Sequence, residues 1–520
     1  MRYLYGASVQ GIQSFIFATN RLREIVGASD LVEEIATEFF EKLLDELKIS
    51  ETDYDIVVMA AGNVRIHFKK KNDAQALFRI ASKKVMQKAF GITLSQAIVE
   101  TEDMLCRKEI DSLEERLKSA RNRVEIALDA SLNATYITPR TGRSASAKVS
   151  IHKKTELVDT ATKQKDKQAE IGKERLLKKI GISEEEFKKF PNEMDKMANS
   201  KGKIAVIHID GNGLGMLLQK IGETLEKDPK HQKHLKKAYR DFSKQLDEST
   251  KNAVKRAFDD KFSLERDGTI RFRPVVLGGD DLTIICDADR SLGFCEAFLK
   301  YFEEETRKKI GKLGRELKIS ALEKGLSACG GISYCNAKFP FHYAVKMAEA
   351  LTAKAKQRSK EIDSVYPPSS IMFHNIQSTY FEDFDSVVER ELTLYTDKGE
   401  IRLDFGPYFL IEESKQDVVV PTIKKFMEAT SLFMGDNTPI GKLRNWLDLL
   451  EESESLASSV LRRIAQISKE RNFNDSKLKK LHPELSIENL IVECKDVKNE
   501  YRKTPIYDIL QIHAISGVMQ

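Results

Sequence analysis

Two adjacent carboxylates, Asp280 and Asp281, stand in the stretch PVVLGGDDLTIICD from Pro274 to Asp287. Val275-Val276-Leu277 and Leu282-Thr283-Ile284-Ile285-Cys286 are β-rich runs on either side of it, so the segment reads as a hairpin with both acids at its Gly278-Gly279 turn. Like charges at an exposed tip between apolar strands need a neutralising cation, and carboxylate oxygens suit magnesium or manganese. Gly-Gly-Asp-Asp can also be an ordinary surface turn. A second stretch, KIAVIHIDGNGLGMLL from Lys203 to Leu218, favours the chemical reading. It reads as a buried strand, Ile204 to Ile209, that ends in Asp210 and passes through Gly211-Asn212-Gly213 into a helix starting at Leu214. A carboxylate at a strand end before a glycine-rich turn is where a metal and a triphosphate share one site.

The elements that must position these groups form a palm of βαββαβ order. Its first strand lies beside the hairpin, so Asp210 and Asp281 converge on two divalent ions with Asp280 next to them. Such ions polarise an α-phosphate, activate a ribose hydroxyl and stabilise departing pyrophosphate. Asp210, Asp280 and Asp281 are therefore the expected catalytic residues.

At Asp210-Gly211-Asn212-Gly213-Leu214-Gly215, Gly278-Gly279-Asp280-Asp281 and Ala337-Lys338-Phe339-Pro340-Phe341 to Lys356, the sequence resembles the second palm of the large cyclase subunit of type III CRISPR effector complexes. More distantly it resembles the diguanylate cyclases. The resemblance implies cyclic oligoadenylate synthesis from ATP with two magnesium or manganese ions. It implies Asp210 and Asp281 as metal ligands with Asp280 beside them, the Gly211 carbonyl as a third ligand, and a nucleotide lying along Asn212, Gly213, Leu214, Gly278 and Gly279. Of the lysines on the helix from Phe341 to Arg358, Lys346 matches the family's phosphate-binding basic residue best and Lys354 second, with Lys356 also on that helix. Both families often carry an aspartate where Asn212 stands, and Leu218 replaces a guanine-reading asparagine, which disfavours GTP. The family's C-terminal helical domain docks on other effector subunits, so RNA and such subunits are the implied partners. Two other readings stay open: a scaffold subunit with vestigial catalysis, and a cyclic-dinucleotide cyclase acting as a homodimer.

Length and composition bound the rest. A chain of 520 residues suggests about three or four domains. With 32% charged and 41% hydrophobic residues it reads as globular, and a net charge of +5 does not by itself announce a nucleic-acid binder. No apolar run approaches the ~20 residues of a membrane span, and MRYLYGAS lacks signal-peptide features, so a cytoplasmic location is expected. Cys106, Cys286, Cys295, Cys329, Cys335 and Cys494 are scattered without a C-x-x-C pair, which argues for free thiols and against the zinc element common in the resembling family. No His-Asp dipeptide occurs, so that family's HD nuclease is not expected within the chain.

VVMAAGNVRI from Val57 to Ile66 aligns position for position with VVLGGDDLTI from Val275 to Ile284. Ala60-Ala61-Gly62-Asn63 then stands where Gly278 to Asp281 stands, and Ser8 stands opposite Asp210. Duplication, with loss of every metal-binding acid from the first copy, is the simplest explanation. Ser8, Gln10, Ser14 and Asn63 are the polar groups that could line an acceptor nucleotide pocket, or serve as turn and cap residues. The expected fold is α+β: two ferredoxin-like βαββαβ palms and a C-terminal mostly helical domain. The expected bounds are 1–130 for a degenerate first palm, 131–200 for a basic linker and helical lead-in, 201–375 for the catalytic palm and 376–520 for a C-terminal hairpin and helical domain. Within the linker, Arg140, Arg143, Lys148, Lys153 and Lys154 could track a polyanion or belong to a solvated loop. Trp446 is expected in the C-terminal core.

Overall fold

The computed structural model describes residues 1–60, 62–102, 105, 107–122, 135–151, 154–226, 235–377, 383–411, 420–435, 438–470, 475–495 and 500–517. Ala61, Cys106, Lys153 and the stretch from 123 to 134 lie outside the described residues.

The chain begins with β1 (Arg2–Gln10), α1 (Ile12–Ile16), α2 (Leu22–Ala36), α3 (Glu38–Glu46), β2 (Tyr54–Ala60), β3 (Asn63–Phe68), α4 (Lys71–Lys88), β4 (Thr93–Thr101) and α5 (Arg107–Arg121). Its strands form an antiparallel sheet in the order β2-β3-β1-β4. A hairpin, β5 (Ala147–Ile151) with β6 (Lys154–Val158), and α6 (Thr160–Lys179) follow. Then come β7 (Lys203–Gly211), α7 (Leu214–Glu226), α8 (Leu235–Lys261), β8 (Phe272–Gly278), β9 (Asp281–Asp287), α9 (Ala288–Leu317), α10 (Ser320–Glu323), β10 (Ala328–Asn336), α11 (Phe341–Ile362) and β11 (Ser370–Asn375). The second sheet contains the run β10-β7-β9-β8, the same order as β4-β1-β3-β2. The fold is therefore the expected α+β one, with two βαββαβ sheets.

The duplication extends to register. Ser8 pairs with Asn63 and Ala60 with Asn63, while Ile209 pairs with Leu282 and Gly278 with Asp281. Asp210 consequently lies next to Asp281 as Ser8 lies next to Asn63. Both hairpins also slip register at the same point, between Ile56 and Val58 in β2 and between Pro274 and Val276 in β8. These are β-bulges, which twist a strand and release backbone groups from the ladder.

The central strand β7 reads IAVIHI because it is covered on both faces and hydrogen-bonded on both edges, to β9 and β10. Behind the acid-bearing hairpin, Phe258, Phe262, Phe272 and Phe294 pack ring to ring, the Phe262 and Phe272 centroids 4.8 Å apart. The apolar face of α9, Phe294, Ala297, Phe298 and Phe302, is buried against this cluster. Its first turn is fixed by the Asp287 carboxylate, which accepts from the Arg290 amide at 3.1 Å.

The segment from 135 to 179 differs from a solvated loop. Arg140 is paired with buried Glu24 at 2.8 Å, and Arg21 with Glu156 at 3.0 Å. α6 lays Ala169, Leu176 and Leu177 into the core beside α2, and its Gln168 donates to Asp30 at 2.7 Å. Lys165 donates to the Phe15 carbonyl, and burial lowers its pKa to about 8. The basic composition of this stretch largely answers acids on α2 and on the stretch itself.

Toward the C-terminus, α12 (Phe384–Glu391), β12 (Thr393–Thr396), β13 (Gly399–Arg402), β14 (Tyr408–Phe409), α13 (Ile423–Ser431), α14 (Ile440–Glu452), α15 (Glu454–Glu470), α16 (Ser476–Leu481), β15 (Val492–Lys495), β16 (Glu500–Lys503) and α17 (Ile506–Ile515) complete the fold. The hairpin expected near Asp397 is β12-β13, and it belongs to a four-stranded sheet, β12-β13-β16-β15, that the sequence pattern did not announce. Trp446 is buried, as expected. β14 joins the second palm sheet through β11, tying this region to the palm. Among the described residues, Cys286, Cys295, Cys329 and Cys335 are free and buried, and no helix is long and apolar enough to cross a membrane.

Candidate active site

Asp210 emerges where β7 leaves the core, and the turn between β8 and β9 brings Asp280 and Asp281 to it. Gly279 has φ +63°, the left-handed value that a two-residue hairpin turn needs at its first central position. At Gly211 the missing side chain matters for another reason. A Cβ there would lie 2.9 Å from Cβ of Asp280 and 2.6 Å from Leu214, so only glycine lets Asp280 lie across the end of β7.

The electrostatics follow from this crowding. Burial raises the pKa of Asp280, and the charge of Asp210 together with a hydrogen bond between the two carboxyls raises it further. Asp281 is raised to about 7, first by burial and then by Asp210, with Lys356 opposing. Oδ1 of Asp281 is buried without a hydrogen-bond partner, although Nδ1 of His208 lies 3.5 Å away. That imidazole nitrogen is engaged at 3.1 Å with the Thr283 hydroxyl, and burial lowers its pKa.

One cation already faces these acids. Nζ of Lys356 on α11 is 2.5 Å from Asp210 and donates to the Gly211 carbonyl at 2.7 Å. The helix is registered by Thr352, one turn earlier, whose hydroxyl donates to the His208 carbonyl at 2.9 Å. The first palm has a parallel arrangement. Leu113 of α5 sits on Gly6 of β1, and Leu117, one turn on, is fully buried where Lys356 stands in the second palm. The first copy thus has a leucine at the spacing of Lys356, and its buried cation is Arg65 of β3, which donates to the Ala7 carbonyl and pairs with Glu114.

Among the described residues, no three His, Cys, Asp or Glu side chains are already gathered as a formed metal site. The donor set nevertheless fits divalent cations. It offers hard oxygens from Asp210, Asp280, Asp281 and the Gly211 carbonyl, an orphaned buried carboxylate oxygen, and an ammonium standing where positive charge is needed. Beside it a cleft of about 470 Å³ runs between the palms, lined by Val32 and Glu33 of α2, Gly62, Lys244 and Lys251 of α8, and Gly278, Gly279 and Asp281.

The other residues singled out from sequence fall in different places. Leu214 packs over Gly211 beside the acids and Gly278 and Gly279 line the cleft, whereas Gly213 lines a separate small pocket with Asn212 and Met216. Asn212 is buried and turns away, its amide donating to Ser327 at 3.1 Å and its backbone N–H to the Ser327 carbonyl. Ser8 and Asn63 bond each other at 3.2 Å in the first palm. The structure does not bring Lys346 or Lys354 to the carboxylates. Lys354 pairs with Asp385 at 2.7 Å. Lys346 lies ten residues before Lys356, about 15 Å back along the helix. The identity of the site lysine depends on where α11 crosses β7, which helical spacing alone does not fix.

A pH dependence follows. Because the folded pKa values of Asp280 and Asp281 exceed the unfolded ones near 4, the folded state binds more protons than the unfolded chain between pH 4 and 7. Their contribution is absent well below pH 4, and it destabilises increasingly up to about pH 7. Metal-free wild type is therefore expected to lose melting temperature across that window relative to Asp280→Asn with Asp281→Asn, the two converging near pH 4. A difference between them that does not vary with pH would contradict this.

Residues 203–365 match the family model described as Cas10/Cmr2, second palm domain. Curated protein sequences give no match. Among solved structures, the Csm1–Csm4 subcomplex of the type III-A CRISPR-Csm interference complex aligns with TM-score 0.53 at 12% identity over 99% of this chain and 70% of that chain. The Csm1–Csm4 cassette in complex with cA4 aligns at 0.51 and 13% over 99% and 70%, and the cassette with one ATP at 0.51 and 13% over 99% and 69%. At such identities these likenesses establish shared architecture, and they run through both palms and the C-terminal region. The acid-bearing segment, residues 203–365, is thus the part of the molecule that matches a second palm domain of the Cas10/Cmr2 family.

Proposed function

We propose that this chain is a two-metal nucleotidyltransferase that joins ATP into a cyclic oligoadenylate-type messenger, as the palm subunit of a type III CRISPR effector. The observation that carries this reading is the meeting of Asp210, Asp280, Asp281 and Lys356 at one strand end, open to a cleft between two palms. Csm1–Csm4 structures of the same fold hold ATP or cA4, which supports ATP as substrate here.

Asp210, Asp281 and the Gly211 carbonyl would hold the ions, with Asp280 alongside. When bound, the ions lower the pKa of an attacking ribose hydroxyl and stabilise the pyrophosphate it displaces from an α-phosphate. The protein's own share is placement. The glycines at 278 and 279 let phosphate approach the backbone. Lys356 exchanges its contact with Asp210 for the triphosphate, carrying its charge to where negative charge gathers. The first palm, lacking counterparts of the three aspartates and of Lys356, offers the acceptor face of the cleft, which makes one chain a self-contained pair. RNA and other effector subunits, the latter on the C-terminal region, are the proposed partners.

The test is incubation of the purified protein with ATP or GTP and manganese, with and without target RNA, followed by pyrophosphate assay and mass spectrometry. Oligoadenylates with stoichiometric pyrophosphate from ATP are expected. No pyrophosphate under any condition would leave a scaffold, and cyclic dinucleotides from GTP would indicate the other cyclase class.

A further inference from the structure

The catalytic hairpin is held at its backbone by two hydroxyls, one from each palm. Thr250 of α8 is fully buried, and its Oγ1 donates to the Gly279 carbonyl, inside the acid-bearing turn, at 2.5 Å. Its contact with the Leu246 carbonyl in its own helix is longer, 3.1 Å. Ser29 of α2, in the first palm, is also buried, and its Oγ donates to the Val275 carbonyl. Val275 is the bulged residue of β8, so that carbonyl is one the ladder leaves without its regular partner. The arrangement is reciprocal. In β2 the register slips between Ile56 and Val58, and the Ile56 carbonyl beside that bulge accepts from the Arg240 guanidinium of α8. Each palm's long connecting helix thus grips the other's hairpin at its bulge, and both helices wall the cleft.

We propose, on the basis of the reading above, that Thr250 and Ser29 are positioning residues for Asp280 and Asp281, and that the first palm takes part in the chemistry through Ser29 although it has no acid of its own. Thr250 is fully buried away from the cleft, and Ser29, which borders it, has its hydroxyl committed to the Val275 carbonyl. Both act on the carbonyls at and just before the turn, so their removal lets the carboxylates drift relative to Asp210 while Lys356 and the cleft wall stay in place. A small misplacement of reacting groups lowers turnover much more than it weakens binding.

The experiment compares Thr250→Val, which keeps the shape and removes the hydroxyl, with Thr250→Ser, which keeps the hydroxyl, and adds Ser29→Ala. Pyrophosphate release gives kcat and KM for ATP, Mn²⁺ titration followed by electron paramagnetic resonance reports ion binding without turnover, and thermal melting reports the fold. Thr250→Val is expected to lower kcat roughly tenfold or more with KM for ATP within about twofold, and to weaken Mn²⁺ binding. Thr250→Ser restores both, and Ser29→Ala shifts them in the same direction. The proposal is overturned if Thr250→Val matches wild type, or if its losses follow a lower melting temperature and Thr250→Ser does not recover them. Should wild type release no pyrophosphate, the cyclase reading fails by itself. The Mn²⁺ titrations then still decide the positioning role, since unchanged binding in Thr250→Val overturns it and weakened binding restored by Thr250→Ser sustains it.

Discussion

Replacing Asp280 and Asp281 together by alanine is expected to abolish pyrophosphate release, a loss of at least about a thousandfold, while the melting temperature of the metal-free protein stays level or rises. Two effects act in opposite directions on this hairpin. For chemistry, the pair supplies the oxygens that face Asp210 across the end of β7, including a buried one on Asp281 that no protein group satisfies. For stability, both carboxyls are unfavourable near neutral pH, because burial and the charge of Asp210 push their pKa values up. Among the described residues no cation is hydrogen-bonded to either, and the ammonium of Lys356 is committed to Asp210 and Gly211. Removing the acids should therefore relieve repulsion and leave the β8–β9 pairing intact. A pronounced fall in melting temperature would mark the pair as structural and would weaken the case for chemistry. Added Mn²⁺ should stabilise wild type and leave the double variant unmoved.

The second large effect belongs to Lys356. Alanine at this position is expected to lower kcat/KM for ATP by about a hundredfold, with a rise in KM, because the ammonium is the cation seated nearest the phosphate path. Lys356→Arg should recover little, since a planar fork does not reproduce a compact charge that contacts a carboxylate and a backbone carbonyl at once. Lys346→Ala and Lys354→Ala should stay near wild type, the first being remote along α11 and the second paired with Asp385. Steady-state kinetics on the four variants decides the matter. A loss concentrated at Lys346 would mean that α11 takes another register when nucleotide binds.

This contrast shows what the sequence could and could not carry. The acids were legible because two glycine-flanked motifs are rare and their strands are strongly apolar, and the duplicated hairpins fixed the pairing of Ser8 with Asn63 that the sheet displays. The lysine was not legible, because four lysines share α11 and only the seat of Thr352 on the His208 carbonyl selects among them. Asn212 was expected along the nucleotide, yet it lies just past the end of β7 at Gly211, where strand alternation no longer sets its direction, and it bonds Ser327 instead. The segment from 135 to 179 looked solvated because its composition is polar. Its charges are matched by Glu24 and Asp30 on α2, and no local pattern reports a partner more than a hundred residues away. β15 and β16 escaped notice because four-residue strands carry too little alternation to register. The paired bulges are likewise silent in sequence, since Val57 and Val275 are ordinary strand residues whose role comes from the opposing palm.

The claim on which the rest stands is that Asp210 and the Asp280–Asp281 turn bind divalent ions beside a triphosphate. Crystals grown with Mn²⁺ and a non-hydrolysable ATP analogue, with data collected for manganese anomalous scattering, test it most directly. Two anomalous peaks are expected within about 2.0–2.6 Å of carboxylate oxygens of Asp210 and Asp281, with the triphosphate in the cleft and Lys356 turned toward it. A bound analogue with no anomalous peak at these carboxylates, and Lys356 still seated on Asp210, would contradict it.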